Sequence, residues 1–229
     1  MDNIKAVLLD IDNTLLDFGV CARESMKAAF ADYGLTYSDN IETIFHKIND
    51  ALWRKVERGE FDKEDVYKVR WNMVFEKAGM ETLYDGFAFD KCFRIHITEC
   101  AYPVEGANDL LEYLSGKYTL YAASNASYDQ QIKRLEAADM LGYFKDFFIS
   151  ERIGAPKPQK EFFEGCMKEL WDTKKDEVVM IGDSLNADIK GARKFGLKYI
   201  WFNYRRGKVP PEMEDKPTVY KLSEIKEIL

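Results

Sequence analysis

"AVLLDIDNTLLDF", residues 6–18, drives an unbroken apolar run into Asp10 and Asp12, two carboxylates one residue apart. Continuous rather than alternating apolarity over so short a run predicts a strand covered on both faces. Ending it in like charges is costly unless a cation or hydrogen bonds offset them. Four further runs share its character: "YTLYAAS" (118–124), "FFIS" (147–150), "EVVMIGD" (177–183) and "KYIWF" (198–202). Helical patterns precede each of them, in "EGANDLLEYLSG", "YDQQIKRLEAADML", "PQKEFFEGCMKEL" and "NADIKGARKFG". Strand and helix in alternation predict an α/β protein with a doubly wound, Rossmann-like parallel sheet and right-handed crossovers. Gly116 and Gly196 fall where helix C-caps are expected, and Glu105 suits the start of its helix.

One segment interrupts this alternation. From about Phe18 to Thr98 the patterns are amphipathic and helical, as in "RESMKAAFADYG", "ETIFHKINDALWRKVERG" and "KEDVYKVRWNMVFEKAG". An all-helical domain inserted after the first strand is expected, with junctions after Leu16 and in "CAYPVEG", where Pro103 and Gly106 punctuate the return.

Composition narrows the function classes. The chain has 229 residues, 46% of them hydrophobic, enough for one or two cores. A formal charge of −7 leaves no basic field for a nucleic-acid polymer or an anionic membrane. Four cysteines without zinc spacing, and an N-terminus "MDNIKAV" without a signal-peptide pattern, place the chain in a reducing cytoplasm. No apolar stretch is long enough to span a bilayer.

In open parallel sheets ligands bind beyond the carboxyl ends of the strands. Three predicted strands end there in polar residues: Asp10, Ser124 and Asp183. Asp10, Asp12 and Asp183 could share a hard cation, because carboxylate oxygens are the donors Mg²⁺ prefers and the ion offsets their repulsion. Each aspartate alone reads more simply as a turn or helix cap, and it is their combination that points to a cation. Lys157, between Pro156 and Pro158, is a backbone-restrained ammonium suited to a phosphate. Neither GxGxxG nor GxxxxGK[ST] occurs, which disfavours dinucleotide and P-loop chemistry.

Taken in order, "DIDNT" (10–14), "SN" (124–125), "KP" (157–158) and "GDSLNAD" (182–188) resemble the motifs of the haloacid dehalogenase superfamily of phosphohydrolases. The resemblance implies a catalytic core over 1–16 and 100–229 and a helical cap over 17–99. It implies Asp10 as the nucleophile that forms an aspartyl-phosphate, and Asp12 as general acid and then base. Thr14, Ser124, Asn125 and Lys157 would bind the phosphoryl group. Mg²⁺ would be held by Asp10, the backbone carbonyl of Asp12, and Asp183. Asp188 is a further ligand, direct or through water, or else orients Lys157. Asp12 separates this chain from dehalogenases and phosphonatases of the superfamily, whose second motif position lacks the aspartate, and leaves phosphomonoester hydrolysis or a phosphoglucomutase-like reaction.

The patterns "ALWRKVERGEF" and "FISERIGAPKPQKEFF" are similar to the branch that hydrolyses pyrimidine nucleoside monophosphates. A small phosphate monoester, a nucleotide or alternatively a sugar phosphate, is the implied substrate. Trp53, Trp71, Phe18 and Phe45 could stack on a base, or simply form the cap's core. Two further classes stand beside the enzyme: a phospho-accepting receiver-like module, against which the large insertion counts, and a binding protein that has lost catalysis.

Overall fold

The computed structural model describes residues 1, 3–80 and 84–229; residues 81–83 of the expected insertion lie outside the described set. By contact the chain divides into two units, Met1–Phe18 with Tyr102–Leu229, and Gly19–Ala101.

The first unit is built on one parallel sheet. Its strands are β1 (Ala6–Leu9), β2 (Thr119–Ser124), β3 (Phe144–Ile149), β4 (Val178–Gly182), β5 (Lys198–Phe202) and β6 (Thr218–Val219), in the spatial order β3-β2-β1-β4-β5-β6. Leu9 sits opposite Ala122 of β2 and Ile181 of β4, so the residues just beyond β1, β2 and β4 emerge side by side at one edge of the sheet. That register brings the polar strand ends together.

β1 and β4 are buried along their whole length, which explains their lack of alternation. One face packs Leu8, Tyr121, Phe148 and Met180 against Phe162, Phe163 and Phe195 from the following helices. The very short β6 was not anticipated from sequence. It is fixed mainly by main-chain bonds, with Trp201 donating to the Pro217 carbonyl and Asn203 to that of Val219.

The helices of both units follow in chain order. α1 (Phe18–Asp32), α2 (Asp39–Glu57), α3 (Lys63–Lys77) and α4 (Gly86–Thr98) precede β2, as does α5 (Ala107–Ser115). α6 (Tyr128–Ala137) joins β2 to β3; α7 (Ser150–Ile153) and α8 (Lys160–Glu169) join β3 to β4; and a π-helical turn, Leu185–Lys190, runs into α9 (Gly191–Phe195) before β5. Gly196 ends α9 in the left-handed conformation at φ 94°, where a side chain would be strained. Gly116 ends α5 at φ −71°, so that C-cap does not use glycine's special freedom.

At the junction of the insertion, Asp17 N–H donates to the Tyr102 carbonyl and Val104 N–H to that of Leu15. The outgoing and returning chains are thus tied together where Pro103 was expected to punctuate them. Among the described residues no helix is long and apolar enough to cross a membrane.

The second unit has an aromatic interior. Trp71, completely buried, lies 4.5 Å from Phe89, 5.2 Å from Phe45 and 5.4 Å from Phe93 between ring centres. Trp53 packs on a satellite cluster of Leu52, Val56, Val66 and Tyr67. Phe45 and Trp71 are therefore core residues, and the base-stacking alternative for them falls with their burial. Below the rings, Asp90 accepts from Arg70 Nε at 3.0 Å and Nη2 at 2.7 Å and from Arg94 Nε at 2.9 Å, while Arg70 Nη1 donates to Asn49 at 3.0 Å.

Candidate active site

Asp10 follows β1, its N–H donating to the Ile181 carbonyl of β4 at 2.9 Å, so the backbone ladder aims its side chain at the exposed end of the sheet. The chain then turns through Asn13, held at φ 64°, a left-handed conformation that asparagine tolerates. Asn13 N–H closes the turn on the Leu16 carbonyl at 2.7 Å. This turn returns Thr14 over Asp10, and Thr14 Oγ1 donates to Asp10 Oδ2 at 3.2 Å.

Lys157 is almost fully buried. Its ammonium donates to Asp10 Oδ1 and to the Ala123 carbonyl, each at 2.7 Å, and forms an ion pair of 2.7 Å with Asp188 Oδ1. Asn125 makes this possible: Lys157 N–H donates to Asn125 Oδ1 at 2.8 Å, and Asn125 Nδ2 donates back to the Lys157 carbonyl at 2.9 Å. The asparagine expected to meet a phosphate thus spends its side chain on the main chain of the lysine.

Asp183 and Asp188 come from the segment after β4. Asp188 Oδ2 accepts from Ser184 N–H at 3.0 Å, and Trp201 Nε1 donates to the Asp183 carbonyl at 2.9 Å. Gly182 has a steric reason: a Cβ there would lie 2.2 Å from Asp188 Oδ2. Asp10, Asp183 and Asp188 each offer a carboxylate oxygen within 4.8 Å of the others.

The electrostatics follow from that crowding. Burial, with Asp188 and Asp12 nearby, pushes the Asp10 carboxyl up to about 7 even though Lys157 opposes the rise. Asp183 keeps some exposed surface, but its carboxyl is closely surrounded; burial, Asp10 and Asp188 hold it well above the usual carboxylate range. Burial works against the Lys157 charge, yet the attraction of Asp10 and Asp188 outweighs it and raises that group. Three carboxylates thus crowd together, with the Lys157 ammonium paired to Asp10 and Asp188. Oxygen donors in this number, with protons bound tightly for want of cation charge, fit a hard divalent ion such as Mg²⁺.

Asp12 points elsewhere. Its Oδ1 accepts from Arg134 Nη1, and its Oδ2 accepts from Gln131 Nε2 at 2.7 Å. Gln131 also donates to Ser124 Oγ at 2.8 Å, and Arg134 Nη1 donates to Gln131 Oε1 at 3.0 Å. Ser124 Oγ also accepts from Ala126 N–H at 3.2 Å. Gln131 and Arg134, both buried on α6, escaped the reading of the sequence. In "YDQQIKRLEA" they look like the solvent face of an amphipathic helix; only their three-residue spacing, with the apolar Leu135 four residues beyond Gln131, hints at an inward face.

Known proteins resemble this chain in sequence and in fold. The model of the haloacid dehalogenase-like hydrolases matches residues 4–196. The HAD-hydrolase YfnB of Bacillus subtilis is 31% identical over the whole chain and 97% of its own length. Its crystal structure bound to magnesium superposes with a TM-score of 0.92 at 30% identity, over 99% of each chain. The pyrimidine 5'-nucleotidases PynA of Streptococcus pneumoniae and YjjG of Escherichia coli are similar at 31% and 25% identity, over 87% and 97% of this chain and 84% and 96% of theirs. A strand-end aspartate meeting a buried lysine in the motif order read from the sequence, and a family match that spans most of the chain, have one explanation: this protein belongs to the haloacid dehalogenase-like hydrolases.

Proposed function

We propose that this hydrolase cleaves phosphoric monoesters with the help of Mg²⁺ and acts on pyrimidine nucleoside monophosphates. The observation that carries the reading is the crowding at the sheet edge, where Asp10, Asp183 and Asp188 bring carboxylate oxygens within 4.8 Å of one another and the Lys157 ammonium pairs with Asp10 and Asp188. A site built to be neutral would not be so short of positive charge; a site that takes up a cation and a phosphate would.

Asp10 is the nucleophile. One of its carboxylate oxygens attacks phosphorus as the ester oxygen leaves, giving an aspartyl-phosphate that water then hydrolyses. Lys157, fixed by Asn125, neutralises charge on the transferring phosphoryl oxygens, with Thr14 and Ser124 as hydroxyl donors beside it. Asp12 gives a proton to the leaving oxygen and takes one from the attacking water. Gln131 and Arg134 determine where its carboxyl group points. Asp10, Asp183, Asp188 and the Asp12 main-chain carbonyl would hold the metal, which when bound supplies charge neutralisation at the phosphate.

The substrate class rests on two relatives named as pyrimidine 5'-nucleotidases. The test is phosphate release from uridine, thymidine, adenosine and guanosine monophosphates and glucose phosphates, with Mg²⁺ and with chelator. Release from pyrimidine nucleotides in Mg²⁺, with the lowest rates in chelator, is expected. Preference for a sugar phosphate or a purine nucleotide overturns the substrate and leaves the mechanism standing; full activity in chelator overturns the metal.

A further inference from the structure

Within the helical unit, three side chains of different chemistry converge. His96 Nε2 lies 2.7 Å from Asp32 Oδ2, and Cys92 Sγ donates to that same oxygen at 3.4 Å. Cys92 and His96 are four residues apart on α4 and so share one helix face, while Asp32 is the last residue of α1. We propose that Asp32, Cys92 and His96 form a site for a thiophilic divalent ion of the Zn²⁺ type, stapling the end of α1 to α4.

The donor set argues for this ion class. One thiolate, one imidazole and one carboxylate are borderline-soft donors that suit Zn²⁺ and its neighbours and do not suit Mg²⁺. An ion about 2.0–2.3 Å from each ligand needs those atoms roughly 3–4 Å apart. The three atoms already lie within 4.8 Å of one another, so small side-chain rotations suffice. Asp32 and His96 keep 55% and 26% of their side-chain surface exposed, which leaves an entry path and room for a water as fourth ligand. A plain surface His–Asp pair would account for two of the residues; it would not need a thiol aimed at the same oxygen.

A reactive-thiol role fits less well. Burial, and then the hydrogen bond to Asp32, push Cys92 up to about 11, so without metal it stays a thiol, which is neither nucleophilic nor easily oxidised. Coordination balances simply. The Cys92 S–H bond breaks and its proton goes to solvent, an S–metal bond forms, and the imidazole turns the Nε2 lone pair to the ion while carrying its proton on Nδ1.

The experiment is Co²⁺ titration of the full chain in a large excess of Mg²⁺, which occupies the oxygen-only cluster around Asp10. Thiolate-to-cobalt charge-transfer absorption is expected to saturate at about one ion per chain and to be bleached by Zn²⁺. Cys92→Ser should abolish the band, and His96→Gln should weaken binding by about tenfold or more. No band in the wild type, a band that survives Cys92→Ser, or one unmoved by His96→Gln each overturns the site. Thermal melts without metal check folding; should Cys92→Ser fail to fold, His96→Gln and Asp32→Asn decide, since coordination must weaken in both. Because the readout is absorption, its failure is independent of the phosphatase reading.

Discussion

Each unit of this protein buries an ionic cluster, and the two differ in charge balance. In the helical unit Asp90 meets Arg70 and Arg94, and Asn49 takes a remaining guanidinium proton. Cations there outnumber the anion, and each named contact satisfies a specific donor. At the sheet edge Asp10, Asp183 and Asp188 crowd together while Lys157 pairs with Asp10 and Asp188, and Asp10 and Asp183 hold protons above the usual carboxylate range. A cluster that completes itself serves the fold, whereas one left short of cation charge suits the metal and phosphate proposed above. Composition alone would not have told the two apart.

Removing an anion should therefore have opposite consequences in the two places. Asp10→Asn is expected to lower phosphate release by at least about 10³-fold, because it deletes the nucleophile. The melting temperature without metal should not fall, since the variant relieves crowding. Turnover within tenfold of wild type would put the nucleophile elsewhere. Asp90→Ala is expected to cost about 3–5 kcal/mol by leaving the buried Arg70 guanidinium, with the partly exposed Arg94 beside it, without a carboxylate, read by denaturant unfolding. If Asp90→Ala unfolds like wild type, the distinction between the self-contained cluster and the one short of cation charge fails.

A smaller effect separates the clusters by pH. The raised Asp10 group keeps its proton in the folded chain to about pH 7, while in the unfolded chain it loses it near the ordinary 3.8. The folded state then binds more protons across that interval, so the stabilisation is full below about pH 4 and is lost as pH rises towards 7. Surface carboxylates such as Glu60 and Glu164, lowered by Arg58 and Lys160, titrate beneath this window and do not mask it above about pH 5. Metal-free melts should fall from pH 5 to 7, and saturating Mg²⁺ should flatten the slope. A flat metal-free profile would remove the excess of negative charge on which the comparison stands.

How much of this was legible in the sequence depended on whether a signal was local. β5 coincides with "KYIWF", because a continuous apolar run is its own evidence. β6 is two residues long and owes its existence to partners on β5, so no run announces it. The nearness of Asp10, Asp183 and Lys157 was legible because they sit at strand ends or within a restrained turn. The bond of Asn125 to the Lys157 main chain was not legible, since it spans 32 residues. The helical pattern of the insertion was legible, but α4 lies in "GFAFDKCFRIHIT", where Asp90 faces inward to pair with Arg70 and Arg94.

The smallest expected effect tests the α6 contacts that sequence reading missed. Gln131 is the residue through which Asp12, Ser124 and Arg134 are joined, and it touches no reacting atom in the proposed mechanism. Gln131→Met keeps length and volume but removes the donor that fixes Asp12 Oδ2, leaving Arg134 as the other named anchor. An acid that wanders from its leaving group loses rate through misplacement, here by roughly tenfold, while substrate binding through Lys157 is untouched. The loss should fall unevenly. Nucleotides, whose alkoxide leaves poorly, need the proton and should slow by the full amount; an aryl phosphate, whose leaving group barely needs one, should slow by much less. A merely structural role for Gln131 would depress both alike. Equal losses on the two substrates, or a change in KM with kcat intact, would return Gln131 to the scaffold and leave Arg134 alone to position the acid.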